Sequence, residues 1–230
     1  MVLKIWESEP PYDLEGEFFK LSTARTMIPE IGQGAIMRPY QTPHPPIVGT
    51  VVAPFSKGVT AMAMRGWLPI SANFLLPKWV ATHWPNYVEG CTQAGRSADF
   101  NDWRVAKNIC VAKDRDTARR YARDPGSPYV LYFRNLLRKF TAGGRLNLFK
   151  EDQNMPDEEV TLDYVLDRLV IHGDPSSVAD QLLAFREVTG PFGHLVYAGQ
   201  DWTDPELGRD SMILFAEDVL PKLNVAIGET

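Results

Sequence analysis

The chain reads as an α/β protein built on a parallel sheet or barrel. Three observations carry that reading. Short apolar, β-branched runs alternate with longer stretches of helical periodicity. The helical stretches open on polar caps followed by proline, as in Asp174-Pro175 and Asp204-Pro205. The 230 residues, 44% hydrophobic and 23% charged, supply enough apolar material for one large domain, taken here as residues 1–230.

The elements follow in order. "MVLKIWES" sets Val2, Ile5 and Trp6 at helical spacing, like the last turns of a helix with no cap before it. "GEFFKLSTARTMI" (16–28) predicts extended or hairpin structure, and Pro39, Pro43, Pro45 and Pro46 lead out of it. A strand at 46–53 precedes a helix at 57–65, a second strand at 67–74 and a mostly helical stretch at 78–95, stopped at Gly95. A third strand at 103–114 puts Val105, Ile109 and Val111 on one face and Asn108 on the other. A helix follows at 116–124. Residues 125–170 break the rhythm: "YVLYFRNLLRKF" (129–140) and "VTLDYVLDRLVIHG" (160–173) both predict helices, an excursion of the kind that covers a site. Asp174 caps the next helix, which ends at Gly190, and a fourth strand spans 193–200. Met212, Leu214, Phe215, Val219 and Leu220 mark the apolar side of a last helix, expected to stop at Pro221.

Composition narrows the function. A net charge of −5 without a basic stripe argues against nucleic acid, and Arg119, Arg120 and Arg123 fit the solvated face of one helix. No run is long enough to cross a membrane, and the first residues lack a basic leader with an apolar core, so the cytosol is the expected compartment. Cys91 and Cys110 have neither metal nor redox-pair spacing, and the four histidines form no metal motif; no metal is expected. His172 is placed at a helix end, and His44 and His83 as structural or exposed. Asp13, Glu15 and Glu17 fit a solvated turn.

Several features resemble the luciferase-like flavin-dependent monooxygenases, nearest the limonene- and alkane-hydroxylase branch. They are "EGEFFKL", the "PHPPI" entry to a strand, the turn "SKG" after it, "VIHGDPSSVADQL", and "DW…FAEDVLPKL", in that order along nearly the whole chain. The resemblance implies a (β/α)8 TIM barrel with reduced FMN, or in one branch a deazaflavin, across its C-terminal face. It implies a separate flavin reductase as partner and oxygenation of a small apolar substrate by O2. It also implies that this chain carries about the second half of the barrel, with 125–170 as a helical insertion, and that it is inactive alone. The flavin phosphate would then lie at Ser56, Lys57, Gly58 and Thr60. The physics of that turn agrees: a helix N-terminus favours anions, Lys57 adds charge, and Gly58 lets the backbone approach. An ordinary capped helix with a solvated lysine is the plain alternative.

Asn73 and Phe74 end the second strand, and an Asn108 inside an apolar strand needs a hydrogen-bond partner, most often a backbone group. Gln200 and Trp202, after Gly199 and beside Asp201, follow the last strand. With Asn73 they are the candidates to line a substrate or flavin pocket; capping by Asp201 and Asp204 and packing by Trp202 is the other reading. No catalytic acid or base is assigned. Three alternatives stay open: a non-catalytic flavin-binding or assembly module, a deazaflavin-dependent oxidoreductase, and a serine hydrolase using Ser56, His194 and Asp174. Against the last, Pro54 stands where a nucleophile elbow needs glycine. Four strands leave two sheet edges, at 46–53 and 193–199, and this predicts a homodimer or completion by another chain.

Overall fold

The computed structural model describes residues 1–199 and 201–228. The described chain separates into two compact units, Met1–Ile47 and Val48–Thr230. The first holds helix α1 (Val2–Glu7) and an antiparallel hairpin of β1 (Asp13–Glu15) and β2 (Lys20–Ser22). The hairpin is prolonged by a reciprocal pair, Thr23 N–H to the Tyr12 carbonyl and Tyr12 N–H to Thr23 Oγ1, each 2.9 Å. Phe18 and Phe19 in its turn are exposed.

The second unit is the α/β body. Its strands are β3 (Val48–Val51), β4 (Leu68–Ser71), β5 (Arg104–Val111), β6 (Val170–Gly173) and β7 (His194–Tyr197), and all their pairings are parallel. Arg104 and Val105 pair with β4 and also with β7, so those strands flank opposite edges of β5, whose C-terminal half pairs with β6. Among the described residues, β3 pairs only with β4 and β7 only with β5, and the sheet does not close. The two predicted edges do pair on one side only, but the sheet has five strands rather than four, and β6 too pairs only with β5.

Helices cover one face of this sheet: α2 (Lys57–Met64), α3 (Pro77–Val80), α4 (His83–Gln93), α8 (Pro175–Thr189) and α9 (Pro205–Leu214). Val51, Val105, Ile109 and Val111 point into that layer, against Val59, Phe185, Val178 and Val219. Around the C-terminal half of β5, helices α5 (Arg115–Arg123), α6 (Pro128–Ala142) and α7 (Leu162–Leu169) build a second core with Cys110, Tyr129, Phe133 and Leu166. Asp174 and Asp204 cap α8 and α9 through Ser177 N–H and Leu207 N–H, with proline at the first turn of each, and Gly190 ends α8 at φ +81°. No described helix is long and apolar enough to cross a membrane.

Two expectations are corrected. The helix predicted over 160–173 stops at Leu169; Val170 turns extended, and Val170-Ile171-His172-Gly173 form β6. Helical spacing runs through Leu162, Val165, Leu166 and Leu169, but β-branched Val170 and Ile171 gain a ladder with β5 that a longer helix would forgo. Pro221 does not end the last helix. A π-helical turn over Phe215–Val219 intervenes, with Leu220 N–H bonded to the Phe215 carbonyl, and α10 (Leu220–Ile227) starts with Pro221 in its first turn, where no N–H is required.

Candidate functional site

The loops after the C-terminal ends of β3, β4 and β7 carry most of the residues singled out above. After β3 the chain passes Phe55, whose φ of +53° is rare for a bulky residue, and Ser56 then caps α2 without a side-chain bond. Three hydrogen bonds from the start of α4 and its cap anchor this turn. Phe55 N–H donates to Thr82 Oγ1 (2.8 Å), Asn86 Nδ2 donates to the Ser56 carbonyl (3.0 Å), and His83 Nε2 meets the Ala53 carbonyl (3.0 Å). His83 is fully buried. Its Nδ1 lies 2.8 Å from Ser71 Oγ, which accepts from Trp103 Nε1 at 2.9 Å.

Lys57 and Thr60 converge on one group. Lys57 Nζ lies 2.9 Å from Glu89 Oε2, and Thr60 Oγ1 donates to the same oxygen at 3.3 Å. Glu89 arrives there because α4 crosses α2 at Gly90, where a Cβ would stand 2.3 Å from the Thr60 carbonyl. The Lys57 hydrogen bond holds the Glu89 carboxyl below its ordinary range. The predicted anion-binding residues are thus together, and their donors face a resident carboxylate. The donor set fits an anionic oxygen; a phosphate entering it would take Lys57 from Glu89.

On the sheet face opposite the helical layer is a cavity of about 470 Å³, walled by Thr50, Ile70, Ala106 and Ala198 with Asn73 and Tyr132 at its side. Tyr132 O–H donates to Asn73 Oδ1 (3.0 Å), and Asn73 Nδ2 donates to Asn108 Oδ1 (2.9 Å). Asn108 therefore meets a side-chain partner from β4's end rather than only a backbone group. Burial raises the Tyr132 phenol, and its bond to Asn73 opposes the rise. Behind Asn73, Lys107 is buried on the helical side of β5. Its Nζ donates to the Leu75 carbonyl at 3.3 Å and lies 4.5 Å from the centre of the Phe185 ring. Burial pushes this amine down to about 7. Lys107 and Tyr132 escaped the sequence reading. Lys107 carries no local signal, since burial comes from distant residues; Tyr132 looked like any aromatic on an amphipathic helix.

Other candidates fall elsewhere. The Trp202 ring stacks on Tyr121 (centroids 5.1 Å, 15°), meets Tyr129 edge-on at 6.0 Å and lies over Gly208, a packing position away from the cavity wall. Gln200 lies outside the described residues. Ser56 follows the C-terminal end of β3, whereas His194 begins β7, so in a parallel sheet they stand at opposite ends. Asp174 is occupied as the α8 cap and by Arg115 at 2.5 Å. The hydrolase triad does not assemble. His172 is in β6, not at a helix end, and burial lowers it. Among the described residues no cluster of potential ligands could hold a metal ion.

Comparison with known proteins adds family and fold. The chain is 25% identical over 227 residues to 3,6-diketocamphane 1,6-monooxygenase of Pseudomonas putida, covering 96% of this chain and 59% of that protein. It is 25% identical over 192 residues to limonene 1,2-monooxygenase of Rhodococcus erythropolis, covering 83% and 46%. The chain thus spans roughly half the length of the curated relatives it matches. The structure of the oxygenating constituent of the P. putida 3,6-diketocamphane monooxygenase, a type II Baeyer-Villiger monooxygenase in complex with FMN, superposes with a TM-score of 0.76. It is 24% identical and covers 96% of this chain and 60% of that one. The luciferase-like monooxygenase family model matches residues 1–190, and the chain belongs to that family.

Proposed function

We propose that this chain serves a flavin-dependent monooxygenase: its parallel sheet is part of a (β/α)8 barrel, FMN binds at the C-terminal ends of the strands, and a small apolar molecule is oxygenated in the adjoining cavity. The observation that carries the cofactor reading is the pairing of Lys57 and Thr60 with Glu89. Helices α2 and α4 are braced so that two donors at the start of α2 share an anionic oxygen, which is the requirement of a phosphate site. Ser56 and Gly58 complete the turn, Ser56 with a hydroxyl that caps nothing and Gly58 with an unshielded backbone. Reduced FMN supplies the electrons and the reactivity toward O2 when bound. The protein's own residues do the rest: the β3–α2 turn fixes the phosphate, and Ile70, Ala72 and Phe74 keep water from the reacting face. Asn73 and Tyr132 orient what enters.

FMN is preferred to a deazaflavin because the similar diketocamphane structure holds FMN. The reductant is proposed to come from a separate flavin reductase, since that protein is described as an oxygenating constituent. Titration of FMN into the purified chain, followed by flavin fluorescence, tests the site. Lys57→Glu is expected to weaken binding by at least about tenfold at low ionic strength, where the charge is least screened. Glu89→Gln is expected to tighten it, because a competing anion is removed while Thr60 keeps a hydrogen-bond acceptor. An affinity unchanged in both variants would refute the assignment. The same titration with a deazaflavin decides between the cofactors.

A further inference from the structure

A second cavity, of about 340 Å³, opens between α8, α10 and β7. It lies at the start of β7, at the opposite end of the strands from the β3–α2 turn. Its floor and walls are apolar: buried Leu182, with Leu195, Phe215 and Leu223 packed on the same core cluster. Phe215 comes from the π-helical turn, and irregular turns of this kind are frequent where helices border functional sites. The volume falls within the range of small-molecule sites.

Three side chains of the lining are polar: Arg186, His194 and Asn224. They are half-buried or exposed where Leu182 is buried, which sets them at the mouth. A neutral imidazole and an amide can each donate or accept, so His194 and Asn224 select no one kind of ligand. Arg186 does. It is the one charged side chain lining the cavity among the described residues, and a guanidinium only donates. Among the described residues no carboxylate pairs with it; its Cζ lies 5.7 Å from the centre of the Phe192 ring. A cation in the last turn of a helix ordinarily serves the free carbonyls there. In α8 two of these are taken. Thr189 Oγ1 donates to the Phe185 carbonyl at 3.1 Å, and Gly190 N–H donates to the Arg186 carbonyl at 2.9 Å. Glu187, the next residue, lines an adjoining recess and no part of this cavity.

A neutral ligand filling the cavity would strip water from the guanidinium and return nothing for its charge. An amine would be repelled. Walls and mouth are satisfied together by a compact apolar body that ends in a carboxylate, which accepts a forked pair of bonds from arginine. We propose that this cavity is a binding site for a small apolar carboxylate, its body against Leu182, Leu195, Phe215 and Leu223 and its charge on Arg186. The site goes beyond the flavin reading and does not depend on it.

The test is ligand-observed NMR titration of the 230-residue chain with phenylacetate, phenylacetamide and phenethylamine, which share one body and differ in the charge of the head. Phenylacetate is expected to bind at least about tenfold more tightly than phenylacetamide, the scale of one charge-assisted hydrogen bond, and phenethylamine more weakly still. Arg186→Gln is expected to erase the preference for the acid, and Arg186→Lys to keep it. Asn224→Asp serves as a second loss variant, because it leaves Arg186 in place and sets a competing carboxylate in the lining. Lys57→Glu is expected to keep the preference, since that residue belongs to the flavin turn. Equal binding of acid and amide, tighter binding of the amine, or no binding of any probe would each overturn the proposal. So would a preference that survives in both Arg186→Gln and Asn224→Asp, or one that is lost in Lys57→Glu, which would put the acid at the flavin turn instead.

Discussion

His83 shows how a side chain that is ambiguous in sequence becomes decisive in the fold. It sits at zero exposure between β3 and β4, with donors and acceptors running one way: Trp103 N–H to Ser71, Ser71 O–H to His83 Nδ1, and His83 Nε2–H to the Ala53 carbonyl. That order assigns the neutral tautomer, and burial lowers the imidazole to about 4. A histidine with a depressed pKa leaves the unfolded chain binding more protons between about pH 6.5 and 4, so its contribution to stability is lost as pH falls through that window. The loss between pH 7 and pH 5 amounts to about 2 kcal/mol. Urea unfolding at the two pH values measures it, with His83→Gln as the control whose pH dependence should be flatter by about that amount. Identical slopes would show that the chain does not hold His83 neutral. The sequence narrowed His83 only to structural or exposed, since its partners are 12 and 30 residues away. Asn108 was more legible: an amide amid Val105, Ile109 and Val111 must find a partner, although nothing local says that it is Asn73. Lys107 lay beyond reach, because two residues along the same strand a charge and an isoleucine share one buried face.

At the scale of elements, caps and glycine or proline punctuation were read well because their physics is local. Asp174, Pro175 and Gly190 frame α8 through contacts within the helix's own ends. β6 and the continuation past Pro221 were missed because neighbours decide them: β5 offers a ladder to Val170-Ile171, and the π-helical turn removes the conflict at Pro221. The crossing of α2 and α4 was also invisible, though the site depends on it. Gly90 permits the approach that brings Glu89 to Lys57 and Thr60. A methyl there would press on the Thr60 carbonyl and on Ala63, both in the rigid core of α2. Gly90→Ala is expected to destabilise the chain by about 1–3 kcal/mol, as overpacking of a close contact does, and to lower the melting temperature by several degrees. It should also release Lys57 from Glu89. An unchanged melting temperature would mean that α4 yields without cost and that the contact does not fix the turn.

For the whole molecule, the alternation of strands and helices was enough to establish the parallel sheet but not its degree of closure. The resemblance pointed to part of a barrel, and the described sheet is open: β3 pairs only with β4, and β6 and β7 each pair only with β5. Parallel strands are normally buried on both faces. Here the helical layer covers one face, while on the other Val48 and Val52 keep 41% and 46% of their surface exposed. Neither edge strand carries a lysine, and β3 adds no other charge that would discourage pairing. Covering what remains exposed of each valine is worth about 1 kcal/mol, which adds to the pairing that an uncovered edge invites. Association through the β3 edge and this face is the expected outcome, either with a second copy or with another chain that extends the sheet. Sedimentation of the purified chain at micromolar concentration is expected to give a mass above the 25.9 kDa of the monomer. Val48→Lys and Val52→Lys together should shift it to monomer without loss of folding, because both side chains are exposed on the face to be covered. A single 25.9 kDa species unfolding cooperatively before any substitution would show that the edge and face are tolerated in water.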